Sequence, residues 1–552
     1  MPFSGKTRQE NIETMKQTPL DLLIIGGGIT GAGISLEAGA KGISNGLIEM
    51  QDFAAGTSSR STKLIHGGLR YLKQFEVALV ADVSREREII YNNASHIVKP
   101  TPMTLPIYEE SGASFDSFSA KVALKLYDDL SDVQEEYKHY FLDREDTLNR
   151  EPALNKDGLL ESGVYLDYTS DDARLTLEIL KKAHGYGSFI ANYVRAVDFI
   201  YDAKEQICGV KAEDVLTGEV FDIQATVVIN ATGPWSDTIR KMSTPETESL
   251  MRPTKGVHLV VDKNRLPVNG PIYTDTGLQD NRMIFIVPRR DKTYFGTTDT
   301  DYQGDIADPK VTDEDIVYLL KAVNQRFPEA HLTNEDIEAS WAGLRPLISE
   351  GKGKDPSAVS RGSSLKESSD GLMTIAGGKL TDYRRMAEGS IDLIEKRLKE
   401  KSSKEFPKVE TKAIKLSGGD VPLGDGFGKY IEELSAKGVQ LGLPKSEAMR
   451  LVEWYGSNAE ILFNETEAFD QLHGLNPGEG LSLKYSLEHE MTLTPTDYFA
   501  HRTDTLLFNH PHVEEIKDAV VNVMADFYQW DETLKKKMSQ DLENAIHEVS
   551  RN

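Results

Sequence analysis

The 552-residue chain has a single cysteine, Cys208. One thiol excludes an internal disulfide and any metal site built from clustered cysteines, and it suits a reducing compartment. No stretch approaches the ~18 uninterrupted apolar residues of a spanning helix. Met1 to Leu20 is mostly charged and polar and lacks the apolar core of a signal peptide. It reads as an N-terminal arm lying on the domain that follows. Basic residues are in short supply, 63 against 88 acidic, for a net charge of −25. Overall attraction to phosphate backbones is therefore missing, which argues against a nucleic-acid partner. Adhesion to anionic lipid is left to local basic patches. Internal repeats and low-complexity tracts are also absent. What remains is a globular composition, 39% hydrophobic and 8% aromatic. Its length predicts two or three domains.

The chain is organised around residues 21–33, Asp-Leu-Leu-Ile-Ile-Gly-Gly-Gly-Ile-Thr-Gly-Ala-Gly. Leu22 to Ile25 is apolar enough for a buried parallel strand. Gly26, Gly28 and Gly31 fit G-x-G-x-x-G: a tight turn, a close approach of backbone to a pyrophosphate, and close packing of helix on strand. A helix from about Ile29 to Ala40 would aim its N-terminal N–H groups at that phosphate. Gly46 to Glu49 reads as the second strand. Glu49 stands where a carboxylate accepts from ribose hydroxyls. The next stretch carries Thr57, Ser58, Ser59, Ser61 and Thr62 among glycines, with Arg60, Lys63, His66 and Arg70 adding charge. Its hydroxyls and free N–H groups suit cofactor phosphates.

Further along, residues 76–97 and 171–183 have helical spacing, and residues 163–168 read as a strand. Residues 194–201, 207–215 and 219–223 form a predicted three-strand meander. A separate buried strand from Val227 ends in Ala231, Thr232 and Gly233, small residues that admit a ligand close to the backbone. Residues 252–300 are β-rich and predict a large sheet walling a substrate pocket. From Gly371 the opening logic returns: strand, Gly377-Gly378, then a helix start near Lys379 to Thr381. The charged run 396–408 is the predicted linker. Beyond it, amphipathic helices are predicted over 445–455, 481–490, 495–507, 513–530 and 531–549 as a separate domain. The expected organisation is an arm (1–20), an α/β Rossmann-like dinucleotide-binding domain interleaved with a β-rich substrate domain (21–400), and a C-terminal α-helical domain (409–552). The fold class is α/β, α+β overall.

Several segments together resemble FAD-dependent glycerol-3-phosphate dehydrogenases and α-glycerophosphate oxidases. They are residues 26–33, Gly56-Thr-Ser-Ser-Arg-Ser-Thr-Lys-Leu-Ile-His-Gly-Gly-Leu-Arg-Tyr-Leu, residues 254–260, Phe295-Gly-Thr-Thr-Asp-Thr-Asp, Gly343-Leu-Arg-Pro-Leu, Gly377-Gly-Lys-Leu-Thr-Asp-Tyr-Arg and residues 491–503. The long insertion that many oxidases carry after Leu-Arg-Pro-Leu is missing. Here residues 348–360 cross the gap compactly, as in the dehydrogenase branch. The resemblance implies FAD as cofactor and hydride transfer from C2 of sn-glycerol 3-phosphate to give dihydroxyacetone phosphate. Electrons then pass to oxygen, giving hydrogen peroxide, or to a quinone. It also implies a cytoplasmic enzyme, sometimes peripheral at the inner membrane surface, and a homo-oligomer is expected.

On that reading the cofactor contacts are Gly26, Gly28, Gly31, Glu49, Thr57, Ser58, Ser59, Val194, Ala231, Thr232, Gly233, Gly378, Leu380 and Thr381. The substrate phosphate needs fixed cations, for which Arg70, Lys379 and Arg345 stand out. Tyr71 is a pocket-lining candidate, and no metal is expected. A secondary alcohol losing hydride needs a base for its hydroxyl proton. His258 is the first candidate, on the same strand face as Gly256 and Val260 and expected to titrate in the ordinary imidazole range. His66 and Arg345 are the others, Arg345 also as a group that polarises the C2 oxygen. The competing readings are an FAD-dependent amine or amino-acid oxidase of the same fold, a non-catalytic flavoprotein and a nicotinamide-linked dehydrogenase. Lys396-Arg397-Leu398-Lys399 and Leu534-Lys-Lys-Lys-Met538 are the local basic patches a membrane surface would use.

Overall fold

The computed structural model describes residues 2–69, 72, 77–131, 133, 135–349, 362–464 and 471–550. The opening apolar run is the strand Leu20–Ile25, with all six residues buried. It pairs in parallel with Asn45–Ile48 on one side and Val220–Asn230 on the other. Phe189–Ala191 and Met373–Gly377 extend this parallel core outward. Helices cover it, which is why its strands read as unbroken apolar runs. Ile29–Ala40 packs against Asp172–Gly185 and Tyr383–Ser402.

The N-terminal arm is built into this layer. Ser4 caps the helix Gly5–Gln17, Arg8 forms a buried ion pair with Asp214, and Asn11 donates to the Ile190 carbonyl. The meander departs from expectation. Its third strand and the strand returning from Val227 are one element, Val220–Asn230. The first half pairs antiparallel with Ile207–Asp214 and the second half parallel with Leu20–Ile25. Gln224-Ala225-Thr226 contains no glycine or proline to break the run.

A second, ten-stranded sheet carries the β-rich segment. At its heart Met251–Asp262 lies between Ile337–Ile348 and Lys292–Gly296. The predicted linker is also corrected. Helix Tyr383–Ser402 runs through its first half because Leu398 is buried and Arg397 pairs with Glu367 and Glu400. The connector proper starts at Ser403, which ends the helix in a left-handed conformation.

The C-terminal helices include Lys445–Tyr455, Pro477–His489, His510–Tyr528 and Glu532–Val549. Asp425–Gln440 and Ala459–Asn464 were not expected. The predicted helix over 495–507 is broken into Pro495–Asp497, a wide π turn at Tyr498–Arg502, and Thr505–Phe508. This segment is tied to the loop after Glu49. Arg502 forks onto Asp52 at 2.7 and 2.8 Å, and His501 Nδ1 lies 2.7 Å from the same carboxylate. Arg502 and Asp52 are fully enclosed. Removing one partner of such a pair typically costs about 3–5 kcal/mol, so the helical region is fastened to the dinucleotide domain.

Candidate functional site

A cavity of about 420 Å³ runs from the glycine turn to the second sheet. At one end lie Gly26, Gly28 and the first turn of helix Ile29–Ala40. A Cβ at Gly31 would stand 1.9 Å from the Gly26 carbonyl oxygen. Gly31 therefore serves helix packing and does not line the cavity. Gly28 is extended, and a Cβ there would meet only Ser58 Oγ at 3.1 Å. Ser58 accepts from the Ile29 N–H at 2.9 Å, placing a hydroxyl at the helix start. These are the features of a pyrophosphate cradle.

Glu49 lines the cavity and accepts from the backbone N–H groups of Gly27 and Gln51 at 2.7 and 2.9 Å. Burial pushes its carboxyl above the usual range, and these two bonds oppose that. A carboxylate has about four lone-pair sites, so capacity for ribose hydroxyls remains. Val194 also lines the cavity, but its N–H donates to the Glu49 carbonyl. Thr57 lines it too, its hydroxyl bonded to the Leu344 carbonyl at 2.6 Å. That bond fastens the cofactor loop to the second sheet. Ser59 is a correction: it is buried behind the loop against the Gly56 carbonyl and does not line the cavity.

Ala231, Thr232 and Gly233 line the cavity beside Gly26, where an added Cβ would meet the Ala231 carbonyl oxygen at 2.6 Å, and Gly377, Gly378, Lys379, Leu380 and Thr381 also line it. Gly377 and Gly378 both have left-handed φ, 76° and 80°. A side chain at Gly378 would strike Met386. The pair turns the chain so that a second helix start faces the cavity. The residues present fit an extended dinucleotide such as FAD: two helix starts, a carboxylate and a Cβ-free approach.

The far end belongs to the second sheet. Arg345 Nη2 meets Thr297 Oγ1 at 3.0 Å, and Nη1 lies 3.3 Å from Asp299. A Cβ on the neighbouring Gly256 would come within 2.5 Å of this guanidinium, so glycine there makes room for it. His66 is a half-buried wall residue, its ring edge-on to Phe285 at 5.6 Å. The adjacent Gly67 N–H donates to Tyr127 Oη at 2.7 Å, and Tyr127 and Arg87 both bond Asp167. This buried network holds His66 in place. Arg70 and Tyr71 lie outside the described residues.

His258 lines the same cavity but is more enclosed. Its ring stacks on Trp341 at 4.6 Å, and Nε2 lies 3.0 Å from Thr62 Oγ1. Burial, then Arg345 and Lys63, pushes its pKa down to about 3. The expected imidazole-range titration is thereby corrected: the side chain is neutral at physiological pH. Val260, expected on the same face, packs into the apolar core beyond. Trp341 was not anticipated as a site residue. Strand alternation carries the signal, since Trp341, Gly343 and Arg345 share one face opposite His258, Gly256 and Thr254.

A pH prediction follows. His96 is also buried and pushed down to about 3, chiefly by burial. In the unfolded chain each imidazole titrates near ~6.5. The folded values are the lower ones, so this stabilisation is complete above ~6.5 and is lost as pH falls toward 3. Near pH ~5 unfolding takes up two protons at these sites, a loss of about 2.7 kcal/mol per pH unit of acidification that half-buried Asp382, its carboxyl pushed up to about 6, opposes in the same range. Denaturant titrations of the holoprotein between pH ~6.5 and ~5 check the histidine part, and His96→Gln should remove about 1.4 kcal/mol per pH unit of the loss. A His96→Gln slope equal to that of the natural chain would show that this imidazole titrates alike in both states.

The parallel sheet with two glycine-rich helix starts, and a cavity reaching from them to a second sheet, defines a dinucleotide-dependent oxidoreductase. The model of the FAD dependent oxidoreductase family matches residues 21–384, and that of the C-terminal domain of alpha-glycerophosphate oxidase matches residues 409–535. The chain belongs to the alpha-glycerophosphate oxidase and glycerol-3-phosphate dehydrogenase family of FAD-dependent oxidoreductases. It is 46% identical to the alpha-glycerophosphate oxidase of Streptococcus pneumoniae and to that of Enterococcus casseliflavus, each over 99% of this chain and 98% of the relative. The solved glycerol-3-phosphate dehydrogenase of Bacillus halodurans, complexed with FAD, is 41% identical with a TM-score of 0.84, covering 99% of this chain and 98% of that one. The S. pneumoniae alignment spans 599 positions against the 552 residues here, so that relative carries additional residues.

Proposed function

We propose that this protein oxidises sn-glycerol 3-phosphate at C2 to dihydroxyacetone phosphate. The observation that carries the reading is the composition of the cavity's substrate end, where Arg345, Lys379 and His66 line one space with the cofactor cradle. FAD bound there supplies the two-electron acceptor for the hydride leaving C2. Arg345 and Lys379 provide fixed positive charge for the phosphate or the C2 oxygen. Two cations suit a phosphate dianion better than the single carboxylate of an amino acid, which one of them would satisfy.

His66 takes the hydroxyl proton in this account. His258 is a poor base in its present setting, since a pKa of about 3 gives little driving force for proton transfer. Its ring, held between Trp341 and Thr62, instead shapes the wall. His66 stands on the cavity wall in a less buried position, which supports assigning it the transfer.

Lys379→Met is expected to raise KM for glycerol 3-phosphate by roughly 10- to 150-fold, and KM for glycerol hardly at all. Losing a charged hydrogen bond costs on the order of 1.5–3 kcal/mol. The Lys379 side chain does not cap its helix, so the turn survives. Steady-state kinetics with both substrates tests the assignment; equal effects would place Lys379 outside the phosphate site.

The reduced flavin passes its electrons to oxygen or to a quinone in this reading. The oxidase relatives support the first, and the compact crossing at residues 348–360 supports the second. Residues 350–361 lie outside the described residues. Reoxidation of the reduced protein by oxygen and by a quinone analogue separates the two. Among the described residues no helix is long and apolar enough to cross a membrane. Of the two basic patches, the first is answered by acids: Arg397 pairs with Glu367 and Glu400, and Lys399 with Glu405. Exposed Lys536 and Lys537 remain for a peripheral contact of a cytoplasmic homo-oligomer.

A further inference from the structure

A second cavity, about 240 Å³, opens where helix Lys445–Tyr455 meets the second sheet. It shares no lining residue with the cofactor cavity. Its cations are Lys99, Arg174, Arg289, Arg290 and Arg450, against the carboxylates of Asp171 and Glu453. A cationic wall runs against the chain's net charge of −25. Part of it is neutralised. Lys99 pairs with Glu453, Arg289 with Asp171 and Asp504, Arg290 with Asp504, and Arg174 with Glu178 and Glu490. Exposed Arg450 makes no ion pair with another described residue.

The buried donors are more telling. Arg174 is 1% exposed, and only its Nη2 is used, on Glu178 and Glu490. Its Nε and Nη1 have no hydrogen-bond partner among the described residues. The same holds for Ser170 Oγ and both ring nitrogens of His96, which also line the cavity. A buried polar group left unmade costs about 1–3 kcal/mol, more when charged. Native interiors leave few, so several around one cavity point to something that fills it. The surplus is mainly of donors: the N–H groups of two guanidinium nitrogens, a hydroxyl and one imidazole N–H, against a single imidazole lone pair. The matching occupant is rich in acceptors and carries at most one O–H, as hydrogen phosphate does.

We propose that this cavity binds a small oxyanion of the phosphate class, either the free ion or the head of a small phosphate monoester. Guanidinium forks suit a tetrahedral oxyanion. Asp171 and Glu453 oppose a larger polyanion at the same place. The ligand bridges Arg450 on the C-terminal helices to Arg290 in the turn between strands Met283–Arg289 and Lys292–Gly296, and so clamps the helical region onto the catalytic body. This proposal is independent of the substrate assigned above.

Calorimetric titration of the FAD-loaded protein with inorganic phosphate tests it, comparing the natural chain with an Arg290→Gln/Arg450→Gln variant. The natural chain is expected to show a phosphate site that the variant loses, with Kd raised at least ~10-fold, on the scale of lost charge-assisted bonds. Flavin content and reduction by glycerol 3-phosphate should be unchanged. Phosphate should also raise the unfolding temperature of the natural chain beyond chloride at equal ionic strength, and not that of the variant. Arg450→Gln alone, at an exposed and unpaired position, supplies the same comparison if the double variant does not fold. Repeating the titration with glycerol 3-phosphate separates the sources. A second equivalent lost in the variant assigns the monoester; loss confined to inorganic phosphate assigns the free ion. Equal phosphate binding by the natural chain and the Arg450→Gln variant, or equal stabilisation by chloride, overturns the proposal.

Discussion

Gly28→Val is expected to yield a folded, colourless, inactive protein. Gly28 has φ −78° and ψ 179°, a conformation open to valine. The one heavy atom close to an added Cβ is the Ser58 hydroxyl, which can rotate away. The polypeptide therefore tolerates the side chain, and the cofactor does not, because the Cβ occupies the approach needed by a pyrophosphate. Gly26 and Gly31 make the contrast. A Cβ at Gly26 would lie 2.6 Å from the Ala231 carbonyl oxygen in a left-handed backbone, and one at Gly31 would lie 1.9 Å from the Gly26 carbonyl oxygen. Substitution at those two positions is expected to prevent folding. Flavin absorbance per chain and a circular dichroism spectrum of purified Gly28→Val decide the matter. A yellow variant would place the pyrophosphate elsewhere.

The second large effect is expected at His66. His66→Asn should keep FAD and bind glycerol 3-phosphate, yet slow flavin reduction by about 10²–10⁴-fold, the usual contribution of a positioned base. The Gly67–Tyr127–Asp167–Arg87 network fixes the backbone beside it, so the loop should hold without the imidazole. His258→Asn should act differently. Its hydrogen bond is with Thr62, for which asparagine offers a donor and an acceptor of its own, and the stack on Trp341 is what the substitution removes. A modest change in reduction rate is expected there. Rapid-mixing reduction of both variants ranks them. A slow His258→Asn beside a fast His66→Asn would return the proton transfer to His258.

The cofactor half of this molecule was legible in the chain because its chemistry is backbone chemistry. The turn at Gly26 to Gly31, the carboxylate at Glu49 and the paired glycines 377–378 are each forced by local geometry, and local geometry leaves marks in sequence. Ser59 shows the limit: two adjacent serines look alike until the loop's path puts Ser58 at the helix start and Ser59 behind it. Long-range pairing left no comparable mark. Alternation puts Trp341 on the face of Arg345, but its stacking on His258 depends on the register of two strands about 80 residues apart. The base assignment shifted for the same reason. A strand histidine reads as a titratable group until its burial is known. The broken helix at Tyr498–Arg502 is likewise a tertiary effect, for the chain there answers to Asp52 rather than to its own periodicity.

The central claim is that this cavity holds FAD and delivers glycerol 3-phosphate to it. Anaerobic addition of glycerol 3-phosphate to the purified protein, followed by its absorption spectrum, tests that claim directly. The account predicts a flavin spectrum that bleaches within the enzyme's turnover time and stays unchanged with glycine or proline. A flavin spectrum untouched by glycerol 3-phosphate but bleached by an amino acid would contradict it.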